Sequence, residues 1–194
     1  MRRYAKRQAA DVAPFLVGRR ILDLGAGEGY VADALRADDL FVCGVDVGLF
    51  QRASVPCVTY DGSRLPFADD TFDTTLILLT LHHCARAEVV LDEARRVTRR
   101  RLIVTESVYR NRRDRFWLDL LDARINRFRH GGGMNTPGAF RTREAWRRLF
   151  ESRGLKTIET RWLGSWWEHL VHHPVLFVLD VQGVSPSKPG MVSL

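Results

Sequence analysis

The sequence predicts an α/β protein: a doubly wound, mostly parallel, seven-stranded Rossmann-like sheet with a terminal antiparallel pair. Three observations predict it. Short apolar runs alternate with helix-length amphipathic stretches through the first 106 residues. The first run, Ile21-Leu22-Asp23-Leu24, ends in glycines that open a helix. The most apolar run, residues 74–80, lies amid the series, as a central strand buried on both faces requires. Such alternation implies βαβ units with right-handed crossovers.

Each element follows in order. Residues 1–17 carry an apolar stripe at Tyr4, Ala5, Ala9, Val12 and Leu16 and are expected to form a cap helix. After the strand at 21–24, residues 28–37 read as a helix with Val31, Ala34 and Leu35 on one face. Residues 40–45 and 55–60 read as the second and third strands, and 74–80 as the fourth. Apolar positions 90, 91, 94 and 97 mark a helix over 85–97, and 101–105 supplies a fifth strand. Trp117, Leu120, Leu121, Ile125 and Phe128 are helically spaced within 113–128. Gly131-Gly132-Gly133 and Pro137-Gly138 mark a loop that could act as a hinge. Thr142 is the expected N-cap of a helix running to about Arg153, ended by Gly154. Residues 155–163 and 175–181 read as an antiparallel strand pair at a sheet edge. The expectation is one domain over 1–181, with an acceptor-side cap at 107–140 and a disordered tail at 182–194.

Composition narrows the function classes. A chain of 194 residues with 45% apolar and 27% charged residues has room for one core and the balance of a globular protein. A net charge of +7 admits anionic partners without bearing on fold. No apolar run approaches the roughly 18–20 residues that span a bilayer, and no signal core follows the basic start, so a cytoplasmic protein is expected. Cys43, Cys57 and Cys84 are scattered, which supports neither a disulfide framework nor a metal site. Pairing His82-His83 with His172-His173 around one ion finds no accompanying acidic ligands.

The sharpest signal is Gly25-Ala26-Gly27-Glu28-Gly29, a turn between strand and helix that lets a ligand approach the backbone. A dinucleotide site would place its third glycine where Tyr30 stands, which counts against NAD or FAD. Asp46 closes the second strand about 20 residues on, where an acid can accept both ribose hydroxyls of an adenosine ligand. Asp61 closes the third strand and precedes Gly62, a pair suited to an adenine edge.

The stretches LDLGAGEGY, GVDVG and YDGSRLPFADDTFDTTLILLTLHHC resemble the class I S-adenosylmethionine-dependent methyltransferases, and within them the ubiquinone and menaquinone biosynthesis subset. The resemblance covers residues 15 to 106. It implies a seven-stranded sheet and S-adenosylmethionine as cofactor. It also implies that Asp23, Gly25, Ala26, Gly27 and Gly29 flank the methionine half, that Asp46 binds ribose, and that Asp61 and Gly62 sit at the adenine. Beyond residue 107 only the family's general layout is shared.

The fourth strand leads into Thr80-Leu81-His82-His83-Cys84. It lacks the Asn/Asp-Pro-Pro-aromatic motif of amino-methylating nucleic-acid enzymes, the acid of metal-dependent catechol-type enzymes and the Pro-Cys of a cysteine nucleophile. His83 is the favoured general base or orienter, followed by His82 and then Glu106, because histidine titrates near neutrality, at about 6.5. Arginines at 95, 96, 99, 100 and 101 lie near a helix end, where cations suit the macrodipole. Those at 110, 112, 113 and 115 begin a helix, and an anionic small molecule or RNA would use them. Trp166-Trp167 beside Gly164-Ser165 suits an aromatic pocket. The expected activity is methyl transfer to a small-molecule acceptor, aromatic or lipid-like. The rivals are an RNA methyltransferase and a non-catalytic cofactor-binding protein; the oligomeric state is open.

Overall fold

A computed structural model of the chain describes residues 2–36, 39–120, 139–164 and 173–181. One sheet holds β1 (Arg20–Leu24), β2 (Phe41–Asp46), β3 (Cys57–Thr59), β4 (Phe72–Leu78), β5 (Thr98–Val108), β6 (Lys156–Trp162) and β7 (His173–Asp180). Their spatial order is β3-β2-β1-β4-β5-β7-β6. β1 to β5 pair in parallel, and β7 runs antiparallel to both β5 and β6. The expected Rossmann-like layout is therefore the observed one. Within the antiparallel pair β6 is the outer member. Its alternating Thr157, Ile158 and Glu159 suit an edge, whereas the continuous run Val175 to Leu179 is wholly buried.

The helices are α1 (Arg2–Val12), α2 (Tyr30–Leu35), α3 (Ala87–Val97), α4 (helical over 112–120) and α5 (Arg143–Ser152). Two apolar layers sandwich the sheet. On one face α3 and α5 bury Leu91, Ala94, Trp146 and Phe150 against Leu22, Leu102 and Phe177. On the other, Ala9 and Val12 of α1 and Ala32 and Leu35 of α2 meet Ile21, Leu76 and Ile103. Each fully buried Leu, Ile or Phe contributes about 1.5–3 kcal/mol. Thr142 caps α5 as expected, its Oγ1 accepting from the Ala145 N–H at 3.1 Å, and Gly154 follows in the left-handed region at φ +71°.

Three boundaries move for physical reasons. β4 starts and stops two residues earlier than the apolar run, because Leu79 turns to φ +53° and Leu81–His83 winds into a 3-10 turn. β5 begins three residues earlier, inside the arginine run, because Phe72 of β4 pairs with Thr98 across a register irregularity. α2 begins at Tyr30, since the glycines before it remain in a turn.

The first arginine cluster holds the scaffold together. Arg96 donates to Glu93, Asp69 and the carbonyls of Leu65 and Phe67, fastening the loop after β3 to α3. Arg101 donates to the Phe15 carbonyl and Arg99 to that of Asp70. The predicted hinge at 131–133, most of the 107–140 cap, Trp166-Trp167, His172 and the tail at 182–194 lie outside the described residues.

Candidate functional site

The strand order reverses between β1 and β4, and the crevice beyond their carboxyl ends is where a doubly wound sheet receives its ligand. The glycine loop lines it. Gly25 sits at φ +80°, and a Cβ there would lie 2.4 Å from the Thr80 side chain, so only glycine lets the β1 loop touch the β4 loop. Its N–H donates to the Val45 carbonyl at 2.8 Å, and the Ala26 N–H shares that acceptor at 3.2 Å. Gly27, at φ +53°, is the opposite case: a Cβ there would meet nothing within 4 Å, so its face opens into the crevice. Gly29 donates to the Ala26 carbonyl at 2.9 Å and leads into α2.

The acids differ in what they have left to offer. Asp23 is 2% exposed, and its Oδ2 is buried without a hydrogen-bond partner among the described residues. Burial, then the nearby Asp46 carboxylate, push its pKa up to about 7, partly offset by a backbone hydrogen bond from Ala32. Asp46 accepts from the Gly27 N–H at Oδ2 and the Val47 N–H at Oδ1, both at 2.7 Å. A carboxylate offers about four lone-pair sites, so two remain for a diol. Asp61 accepts at Oδ1 from the Ser63 hydroxyl and the backbone N–H groups of Ser63 and Arg64, which hold its pKa down at about 2. Gly62 lies against Val47, with a Cβ position 3.5 Å from its Cγ1.

Sequence reading missed Val47 and Leu49, which are 58% and 92% exposed just after the strand-closing acid. Val47 gives the crevice an apolar wall beside Gly62, and the signal was two apolar residues at a solvent-facing turn. An unpartnered buried carboxylate oxygen, an open glycine face, spare acceptors on Asp46 and an apolar wall together fit a cationic adenosyl ligand. The structure thus directly joins Gly27 and Asp46 among the predicted cofactor residues, while Asp61 spends one oxygen on its own turn.

The structure brings the three predicted catalytic residues together, with His82 in contact with both Glu106 and His83. Glu106 on β5 is fully buried, and its Oε2 lies 2.6 Å from His82 Nδ1. Its Oε1 accepts from the Leu81 N–H at 2.8 Å, so the same carboxylate fixes both the 3-10 turn and the ring. The Phe140 ring stacks on His82 at 4.6 Å, and the Ala139 N–H donates to the His82 carbonyl. His83 is half-buried, its ring centroid 4.0 Å from that of His82. Cys84 is half-buried, its Sγ 3.4 Å from the Thr80 carbonyl, and burial chiefly pushes its thiol up to about 11.

A second group lies on the other face of the same edge. Tyr4, Gln8 and Asp11 of α1 meet Leu79, Thr105 and Pro174 around a small pocket. The Thr105 hydroxyl is buried there without a hydrogen-bond partner among the described residues. Leu79 holds its strained φ while donating its N–H to the Thr105 carbonyl at 2.8 Å.

Fold and site together define a class. Residues 22–103 match the methyltransferase domain family, the kind of protein that the sequence motifs resemble. Among particular proteins, the chain is similar to the demethylmenaquinone methyltransferase of Mycolicibacterium paratuberculosis, 36% identical over 111 residues, or 54% of this chain and 47% of that protein. The protein of the same name from Beutenbergia cavernae is 36% identical over 115 residues, covering 55% of this chain and 48% of its own. The chain spans about half the length of the curated relatives it matches. A geranyl diphosphate methyltransferase solved with S-adenosylmethionine superposes with a TM-score of 0.69 over 90% of this chain and 84% of its own, at 15% identity. The cyclase SpnF superposes equally well, with a TM-score of 0.69 over 90% and 80% at 16% identity. One fold thus carries more than one chemistry, and function has to be argued from the site.

Proposed function

We propose that the protein transfers a methyl group from S-adenosylmethionine to a small-molecule acceptor, aromatic or lipid-like. The observation that carries this reading is the crevice at the β1/β4 switch point, where the open face of Gly27, the spare acceptors of Asp46 and the unpartnered oxygen of Asp23 converge. Asp23 and the loop at 25–29 would hold the methionine half, Asp46 the ribose, and Gly62 with Val47 and Asp61 the adenine. When bound, the cofactor supplies an activated methyl group on a cationic sulfur. The demethylmenaquinone methyltransferases, by their name, act on a lipid-like quinone precursor, which supports an acceptor of that kind here.

The chain's own contribution is alignment: in-line positioning of reacting groups can supply several kcal/mol without any covalent step. Glu106 orients His82 and the 3-10 turn, and the half-buried His83 beside it is the candidate to take a proton from a hydroxyl acceptor. Losing a general base costs about 10²–10⁴ in turnover with cofactor binding intact. The test is label transfer from methyl-labelled cofactor to organic extracts and to total RNA of a lysate. Label in the organic phase supports the reading. Label in RNA replaces it with RNA methylation, and cofactor binding without any transfer leaves a non-catalytic role. For the active protein, near-native turnover in His82→Ala, His83→Ala and Glu106→Gln would leave positioning alone to explain the rate.

A further inference from the structure

The second arginine run is not consumed by the site. Arg112, Arg113 and Arg115 lie on α4, which follows the carboxyl end of β5 after residues 109–111 and therefore stands at the same edge of the sheet as the crevice. Asp114 and Leu118, one turn apart, face inward: Leu118 is 3% exposed, and Asp114 accepts from the Arg110 N–H and contacts His173. The opposite side carries Arg113, Phe116, Trp117 and Leu120 at the i, i+3, i+4, i+7 spacing of a single helix face. Phe116 is 62% exposed, Trp117 58% and Leu120 41%, with the two rings edge to face at 5.7 Å. An apolar stripe of that kind belongs against a core, yet here it points outward.

Charge surrounds the stripe. Arg112, Arg113 and Arg115 are exposed, and among the described residues only Arg115 has an ion-pair partner on the helix, Asp119 at 3.8 Å. The basic–aromatic character continues along the edge. Arg110 and Arg143 both lie over the half-exposed Trp162, at 5.8 and 5.7 Å, and Arg115 lies over Tyr109 at 5.7 Å. A protein partner or a second copy would answer the apolar stripe but not the uncompensated arginines on its rim. RNA would answer the arginines but leave Leu120 and the Phe116 edge in water. A surface that is anionic outside and apolar a few ångströms within answers both, and aromatic residues among arginines are the composition that lies in such an interface.

We propose that α4 docks the protein on an anionic phospholipid bilayer, with Phe116, Trp117 and Leu120 entering the headgroup boundary and Arg112 and Arg113 contacting phosphate. The proposal rests on the lipid-like reading of the acceptor only for its purpose, which is to bring the crevice to where such an acceptor resides. Its test needs no acceptor. The full chain is sedimented with vesicles of phosphatidylglycerol mixed into phosphatidylcholine and with vesicles of phosphatidylcholine alone, and cofactor affinity is measured in parallel.

The expected result is binding to the anionic vesicles that weakens at least tenfold in pure phosphatidylcholine. Phe116→Ser/Trp117→Ser and Arg112→Glu/Arg113→Glu should each weaken it at least tenfold, while Ile158→Ser, an exposed apolar residue on the edge strand β6, leaves it unchanged. Cofactor affinity should be the same in all these variants, which shows them folded and separates this proposal from the reading of the crevice. No vesicle binding, or binding indifferent to the α4 variants, overturns it. So does a dimer that the Phe116→Ser/Trp117→Ser variant dissolves, or an RNA oligomer bound more tightly than the anionic vesicles.

Discussion

At the carboxyl edge of the sheet, the β1–β2 half and the β4–β5 half treat their polar groups in opposite ways. Around β1 and β2, Asp23 keeps a buried oxygen without a partner, Asp46 keeps acceptor capacity, and Gly27 faces open space. Around β4 and β5, the fully buried Glu106 engages Leu81 with one oxygen and His82 with the other, and Phe140 covers the ring. The first half stores an unmet electrostatic demand that a cationic ligand can satisfy. The second is a finished network whose work is to hold a turn still. Buried polar groups in proteins are normally paired, and while Thr105 on β5 also keeps an unpaired hydroxyl among the described residues, Asp23 is the unpaired carboxylate, beside the open face of Gly27.

The largest effect that would sharpen this contrast comes from breaking the finished network. Glu106→Ala leaves the Leu81 N–H and the His82 ring without their buried acceptor and should cost about 3 kcal/mol in urea-induced unfolding. A loss under about 1 kcal/mol would mean the pair is not holding the turn.

Breaking the unfinished half should do the reverse. Because the folded-state pKa of Asp23 is raised from 3.8 to about 7, its stabilising contribution is complete below pH 4 and is lost as pH rises toward and past 7. Asp23→Asn removes that penalty. The variant should melt several degrees above the parent at pH 8, and the gap should close by pH 4. Its affinity for S-adenosylmethionine should fall, and should lose the rise from pH 6 to 8 expected of the parent. A parent that melts alike at both pH values relative to the variant would show that Asp23 is not a strained carboxylate.

The smallest effect is a control that touches neither carboxylate. Thr142→Ala removes the α5 cap and should cost about 1 kcal/mol while leaving cofactor affinity untouched.

The same contrast explains what the sequence disclosed. Gly25, Gly27 and Asp46 were legible because a strand, a turn and a strand end impose local requirements that only certain residues meet. The strand succession was legible for the same reason, through apolar runs of the right length. The Glu106–His82 contact was not legible, since it joins positions 24 residues apart and depends on which way each faces from the sheet. The stacking of Phe140 on His82 and the contact of Arg110 with His173, 63 residues away, left no local trace at all. The first arginine cluster does sit at the end of α3, as its sequence position implied, but its use as a set of clamps on backbone carbonyls left no local trace.

The central claim is that the unpaired half of the edge is a cofactor site built around Asp46. Titration calorimetry of the full chain with S-adenosylmethionine and with NADH, repeated on Asp46→Ala, tests it most directly. Each charge-assisted hydrogen bond lost to the diol is worth about 1.5–3 kcal/mol, so the variant should bind the cofactor at least tenfold more weakly. The account predicts one equivalent of S-adenosylmethionine bound by the parent and no NADH. A preference for NADH, or an affinity for S-adenosylmethionine unchanged by Asp46→Ala, would contradict it.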